Sequence, residues 1–268
     1  MTQRDAVFGG SIPEIYDRCL GPMLFVPYAT DLAQRLASLC AGRLLEIAAG
    51  TGIATAALAA GLPGVEIVAT DLNQPMLDLA AAKPGLDRVR FRQADAVVLP
   101  FADQMFDAVA CQFGAMFFPD RSAAYRETRR VLRPGGRFLF NCWSSIEANP
   151  VAAAALAGLS RLYPQQQSWF LERVPHGYSD PAVIQADLAA AGFPDCRIET
   201  VALRGPVASP EMAAVGFCQG TPMRGEIEAL DPDGLGRATE AVAAAIAERC
   251  GTGVFDAQLC ALVVEAVR

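Results

Sequence analysis

The sequence has 268 residues, of which 53% are hydrophobic and 19% charged, and its formal net charge is −7. This composition predicts a packed globular protein with a sizeable core and argues against a disordered chain. An acidic protein repels phosphate backbones, so a nucleic-acid-binding protein is not expected.

The first half of the chain alternates short apolar runs with helical segments. The predicted elements are helix 31–40, strand Arg43–Ala48, helix 53–60, strand Val65–Thr70, helix Gln74–Ala82, strands Arg88–Arg92 and Phe106–Gln112, helix Arg121–Leu132 and strand Arg137–Trp143. The Pro134-Gly135-Gly136 triplet ends the last of these helices. This alternation is typical of βαβ units, which form a mainly parallel sheet with helices on both faces.

The second half of the chain does not continue the regular alternation of strands and helices. Two or three helices are predicted over 148–192, a strand over Asp195–Leu203 and helices over 208–250. For Cys260–Val267 a strand is favoured over a helix because of Leu262, Val263 and Val264. We expect a single α/β domain with a doubly wound core of about 31–143, 195–204 and 257–268. Helical cap insertions would cover about 1–30, 144–194 and 205–256.

Targeting signals are not visible in the sequence. The N-terminus lacks a basic segment followed by an apolar one, and no window offers the roughly 20 apolar residues of a membrane span. The eight cysteines form no CxxC pair. These features predict a cytoplasmic protein with reduced thiols and no membrane span.

A glycine-rich turn follows the first strand, in the segment Leu44-Leu45-Glu46-Ile47-Ala48-Ala49-Gly50-Thr51-Gly52. Gly50 and Gly52 allow a tight turn and close approach to a ligand, which would lie beyond the carboxyl ends of the strands. Asp71 ends the next strand, nineteen residues after Gly52. Its carboxylate could accept both hydroxyls of a ribose, or it could cap the helix that begins near Gln74.

Two enzyme classes fit a glycine turn with this acid. A dinucleotide-binding oxidoreductase prefers Gly or Ala at the third position of G-x-G-x-x-G, where this chain has Thr55. A methyltransferase would use Glu46 inside the strand end to organise the loop amides and the cationic end of its ligand. It would also use Asp95, after the third strand, to accept a hydrogen bond from an adenine amino group. A third hypothesis is a non-catalytic scaffold protein that binds the same ligand as the methyltransferase would.

The motifs over about 30–143 resemble those of class I S-adenosylmethionine-dependent methyltransferases, closest to the ubiquinone/menaquinone-biosynthesis-like branch that acts on small molecules. LLEIAAGTG, TDLNQPML, QADAVVLPF, CQFGAMFFPD and RVLRPGGRFLF follow the family's order. The resemblance implies a seven-stranded Rossmann-like sheet whose last strand is antiparallel, S-adenosylmethionine as cofactor, and in-line methyl transfer without a metal. Ala48 departs from the family, where most members have Gly, and narrows the turn.

The predicted cofactor-binding residues combine these motifs with neighbouring positions. They are Tyr16, Glu46, Ala48, Gly50, Thr51, Gly52, Asp71, Leu72, Met76, Asp95, Ala96, Gln112 and Phe113.

The candidate substrate-binding residues are aromatic or apolar, and the candidate catalytic residue is a histidine. Phe25, Tyr28, Met116, Trp143 and Tyr178 could line an acceptor pocket. Packing is favoured for Phe25 and is as plausible as pocket lining for Met116 and Trp143. The single histidine, His176, could remove a proton from the acceptor or could merely structure its loop. The expected partner is a small-molecule substrate, and monomer and homodimer remain equally open.

Overall fold

The computed structural model describes residues 9–268. Its centre is a seven-stranded sheet in the order β3-β2-β1-β4-β5-β7-β6. The strands are β1 Gly42–Ile47, β2 Val65–Asp71, β3 Arg90–Gln93, β4 Phe106–Gln112, β5 Leu132–Trp143, β6 Cys196–Val207 and β7 Phe255–Val267. The first five pair in parallel, whereas β7 is antiparallel to both β5 and β6. The predicted α/β fold is confirmed, and its switch point lies between β1 and β4.

Helices cover both faces of this sheet. They are α1 Ile12–Ile15, α2 Val26–Arg35, α3 Ile53–Gly61, α4 Gln74–Ala81, α5 Arg121–Val131, α6 Pro150–Leu162, α7 Phe170–Arg173, α8 Pro181–Ala190, α9 Pro210–Gln219, α10 Met223–Leu230 and α11 Leu235–Cys250. Alternate β1 residues enter different cores, since Leu44 packs with Leu58 of α3 and Leu45 packs with Tyr125 of α5. The period of two along each strand therefore supplies both faces.

The N-terminal segment is more helical than its sequence suggests. Between α1 and α2, Tyr16–Phe25 forms a π-helix, so one helical path runs from Ile12 to Arg35. The predicted helix 31–40 therefore begins too late and ends too late. Pro22 lies inside the π-helix, where the wider turn accommodates a residue that lacks an N–H.

The late strands are longer than predicted because they pair with each other along their whole length, from Cys196 opposite Ala266 to Val207 opposite Phe255. The strand β5 also begins earlier, at Leu132, with an irregular register opposite Phe106. The helix α8 contacts α5 and β6. It therefore belongs to the layer on the sheet and not to the predicted cap.

The cap itself is formed by packing of α11 against α6 and α9, and of α9 against the π-helix. Across residues 9–268, no helix is both long and apolar enough to cross a membrane.

Candidate active site

The glycine turn after β1 uses three residues with positive φ: Ala48 at 55°, Gly50 at 55° and Gly52 at 80°. A Cβ on Gly52 would lie 2.8 Å from the Cβ of Ala80, so this glycine lets the turn approach α4. A Cβ on Gly50 would meet nothing within 4 Å. Gly50 therefore borders open space, whereas Ala48 bears the strain of a left-handed conformation, about 1–2 kcal/mol for a residue with a side chain.

The carboxylate of Asp71 organises this turn from the end of β2. One oxygen accepts from the Gly50 amide at 2.8 Å and the other from the Asn73 amide at 2.8 Å. The N-cap of α4 is Asn73, so Asp71 does not cap that helix directly. Burial raises the pKa of Asp71, and the bonds from Asn73 and Gly50 oppose the rise. The Asn73 side-chain amide donates to the second oxygen as well, at 3.4 Å. The oxygen that accepts from Gly50 keeps a further lone pair for a ligand.

Glu46 lies beneath the turn and is 1% exposed. Neither of its oxygens has a hydrogen-bond partner among the described residues. Burial raises its pKa to about 8, and the Thr55 hydroxyl opposes the rise although it stands outside hydrogen-bond geometry. The sequence predicts that Glu46 organises the loop amides. In the structure, Asp71 binds the Gly50 amide instead.

A pocket of about 820 Å³, including its solvent-open part, lies at the carboxyl ends of β1, β2 and β4. We call it the strand-end pocket. Ten predicted cofactor residues line it: Tyr16, Ala48, Gly50, Asp71, Leu72, Met76, Asp95, Ala96, Gln112 and Phe113. The other three, Glu46, Thr51 and Gly52, support the turn from behind and do not line the pocket.

The N-terminal helix is tied down over this pocket. Asp17 accepts a hydrogen bond from the Thr51 hydroxyl at 2.6 Å and pairs with Lys83. On the other side, the Gln112 amide donates to the Phe25 carbonyl at 3.0 Å. Sequence reasoning missed Asp17 and Lys83, because no local motif marks a pair separated by 66 positions.

A second pocket, of about 660 Å³, lies under the cap, and we call it the cap pocket. Its wall includes Phe25, Met116 and Trp143, together with apolar residues of α6, α7 and α9. The rings of Phe113 and Trp143 stack at 3.9 Å. Three side chains line both pockets: Tyr16, Phe113 and Phe117. The two pockets are therefore adjacent and share these three side chains.

Comparison with known proteins decides the family. Residues 45–140 match the family model described as a methyltransferase domain. Demethylmenaquinone methyltransferase of Thermus thermophilus is 37% identical over 182 residues, which are 62% of this chain and 79% of that protein. The Deinococcus radiodurans protein of the same name is 41% identical over 125 residues, 46% of this chain and 50% of that protein. The chain is a class I S-adenosylmethionine-dependent methyltransferase of the ubiquinone/menaquinone type.

Solved structures support the same fold. Phosphoethanolamine N-methyltransferase 2 of Haemonchus contortus, solved with S-adenosylhomocysteine, superposes with a TM-score of 0.59 at 17% identity, covering 96% of this chain and 56% of that chain. The predicted methyltransferase activity and cofactor are confirmed. The relatives do not support the oxidoreductase hypothesis.

The strand-end pocket of this methyltransferase suits S-adenosylmethionine. Gln112 lines the pocket, and the carbonyl oxygen of its side chain is buried and has no hydrogen-bond partner among the described residues. A buried acceptor of this kind needs a donor, and the cofactor carries ammonium and adenine amino groups. Asp95 is exposed at the rim, where one oxygen accepts from the Val97 amide at 3.0 Å. Across residues 9–268, no cluster of three or more His, Cys, Asp or Glu could hold a metal.

Two predicted substrate residues are not at either pocket of the methyltransferase. Tyr28 is fully buried, and its hydroxyl donates to the Val201 carbonyl at 2.8 Å. Tyr178 is 2% exposed and donates to Asp187 at 2.9 Å. Both phenols are satisfied inside the core, so the structure corrects these two predictions. An aromatic residue close to a site in sequence is often packing behind it.

His176 lines the cap pocket beside Trp143, with ring centroids 6.2 Å apart. Its Nδ1 lies 2.8 Å from the Ser144 carbonyl oxygen, just beyond the end of β5. Burial lowers the pKa of His176 to about 4, partly opposed by the bond to Ser144 and by Glu147. His176 therefore lines the cap pocket, and its lowered pKa keeps the ring neutral at pH 7.

Proposed function

We propose that this methyltransferase transfers the methyl group to an apolar, planar acceptor of the quinone type in its reduced, hydroxyl-bearing form, seated in the cap pocket. The observation that carries the proposal is the pair of adjoining pockets, one lined by carboxylates and the other by aromatic side chains. The names of the curated relatives, which refer to demethylmenaquinone, support the same class of acceptor.

The lining of the cap pocket argues for a neutral acceptor. Among residues 9–268, no Asp, Glu, Lys or Arg lines it, and burying a charge without a partner costs several kcal/mol. The phosphoethanolamine methyltransferase with the same fold is named for a charged substrate. A phosphate or ammonium group would find no counter-charge in the cap pocket of this chain.

Within the strand-end pocket, each end of the cofactor has a candidate partner. We assign the ribose hydroxyls to Asp71 and the adenine amino group to Asp95, whereas the Gln112 oxygen would accept from the amino-acid end. The bound sulfonium supplies a methyl group that is already activated. The chain must then align the acceptor and exclude water. The lining that the two pockets share, formed by Tyr16, Phe113 and Phe117, supports an acceptor seated next to that group.

Transfer of labelled methyl groups tests this proposal. The acceptors are a panel of naphthalene-ring compounds, with phosphoethanolamine as the charged comparison. We expect label on the ring compounds alone. Ala152→Phe should block transfer because Ala152 lines the cap pocket, and it should leave binding of S-adenosylhomocysteine intact.

Ala153→Phe is the matched control, since Ala153 is the next residue of α6, is half-buried and does not line the cap pocket. Labelling of phosphoethanolamine as efficiently as the ring compounds would contradict the proposal. So would wild-type activity in Ala152→Phe.

A further inference from the structure

The cap pocket has few polar side chains for an acceptor to use. Two of them, Asn149 and Thr221, already make hydrogen bonds to the backbone of the protein. The Asn149 amide makes three hydrogen bonds to the backbone, with the Ser145 carbonyl and with both the N–H and the carbonyl of Cys260. These bonds hold the start of α6 against β7, and they leave Asn149 little capacity for a ligand.

Thr221 is similarly engaged. Its hydroxyl donates to the Phe217 carbonyl at 2.7 Å and accepts from the Met223 amide at 3.2 Å. Gln258, which also lines the pocket, is exposed to solvent. His176 is a buried polar residue of the cap pocket, and its second ring nitrogen has no backbone partner among residues 9–268.

The geometry around His176 determines which ring nitrogen carries the hydrogen. A carbonyl oxygen can only accept, so Nδ1 must donate to Ser144 across the 2.8 Å separation. In a neutral imidazole the other nitrogen, Nε2, then has the lone pair. The backbone is also held, because the His176 amide donates to the Leu171 carbonyl at 3.2 Å. The tautomer is therefore fixed with Nε2 as a hydrogen-bond acceptor, on a residue that lines the cap pocket.

We propose that His176 is a specificity-determining residue, whose Nε2 selects acceptors that carry a hydroxyl group by accepting its hydrogen bond. The inference rests on the proposed function, since it requires the acceptor to lie in the cap pocket. A ketone or ether oxygen at the same place would face Nε2 with a lone pair of its own, so no hydrogen bond could form. Because an unmet buried acceptor weakens binding, we expect at least about tenfold discrimination.

Burial gives this role a physical basis. The lowered pKa of His176, about 4, keeps its ring neutral over the working range of most enzymes, so Nε2 remains an acceptor. The same low pKa makes the ring a weak base that holds a proton poorly. His176 is therefore better suited to binding and orienting the hydroxyl than to removing its proton.

Paired probes test the proposal by calorimetry on the full-length protein saturated with S-adenosylhomocysteine. The probes are 2-naphthol, which has a hydroxyl donor, and 2-methoxynaphthalene, which has none. The wild-type protein should bind 2-naphthol at least about tenfold more tightly. His176→Asn should abolish this ratio, because its short amide can donate to Ser144 but does not reach as far as Nε2. His176→Gln should preserve part of it, since its longer amide carries an oxygen near that position.

Affinity for S-adenosylhomocysteine is the folding control and should be unchanged in both variants. Equal affinities of the wild-type protein for the two probes would overturn the role of His176 and leave the apolar acceptor site intact. An undiminished ratio in His176→Asn would overturn it as well. If neither probe binds the wild-type protein, the acceptor site itself is wrong and the inference falls with it.

Discussion

Replacing Glu46 by Gln should change how the stability of the free protein depends on pH. The ordinary pKa of this carboxyl is 4.5, and burial raises it to about 8 in the folded chain. Between these values the folded state keeps a proton that the unfolded state has released. The stability therefore falls as the pH rises, by about 1.4 kcal/mol per pH unit where the difference is a full proton.

From pH 6 to pH 8, Glu46 lowers the free energy of unfolding by about 2 kcal/mol, because the folded protein begins to lose the Glu46 proton near pH 8 and the slope decreases there. Urea unfolding at pH 6, 7 and 8 measures this slope. The Glu46→Gln variant should lack that part of the slope, and Glu240→Gln, the same change on an exposed residue, should keep it. An identical slope in Glu46→Gln and wild type would refute the reasoning.

Three further outcomes follow from the site. Asp71→Ala should weaken binding of S-adenosylhomocysteine at least about tenfold by calorimetry, since it removes charged acceptors; unchanged affinity would contradict the ribose assignment. Ala48→Gly should raise the unfolding free energy by up to about 1 kcal/mol, because Ala48 has a φ of 55°, whereas Ala57→Gly inside α3 should lower it by a similar amount. His176 has an ordinary pKa of 6.5 that falls to about 4 on folding, so its contribution to stability grows as the pH rises from 4 to 6.5. His176→Asn should flatten acid unfolding in that window, and an unchanged curve would count against burial as the cause.

The strand-end pocket could be predicted well because its determinants are local. A turn after a parallel strand needs glycines, and each acid sits at the end of its own strand. Since parallel strands end at one edge of the sheet, Asp71, Gly50 and Gln112 meet there whatever the details of packing. Local signals also predicted the alternation of strands and helices. The seven strands of the sheet were implied by the family resemblance.

The parts that the sequence did not predict depend on contacts between distant segments. Asp17 pairs with Lys83 and Thr51 only because the N-terminal helix crosses the glycine turn. That helix was itself hidden by Pro22, which argues against an ordinary α-helix and is accommodated by a π-helix. Propensity describes a residue in its own segment and contains no information on which segment will cross it.

The acceptor pocket shows the same limit in its chemistry. Phe25 and Tyr28 lie on one helical path, yet Phe25 lines the cap pocket and Tyr28 points its hydroxyl at the Val201 carbonyl of β6. His176 gained its role from Ser144, a neighbour 32 positions away whose carbonyl oxygen sets the tautomer. The sequence alone does not show which of the two ring nitrogens of a lone histidine carries the hydrogen. The fold makes one of them a donor to the backbone and leaves the other as an acceptor at the wall of the pocket, and that asymmetry is what can distinguish a hydroxyl from an ether.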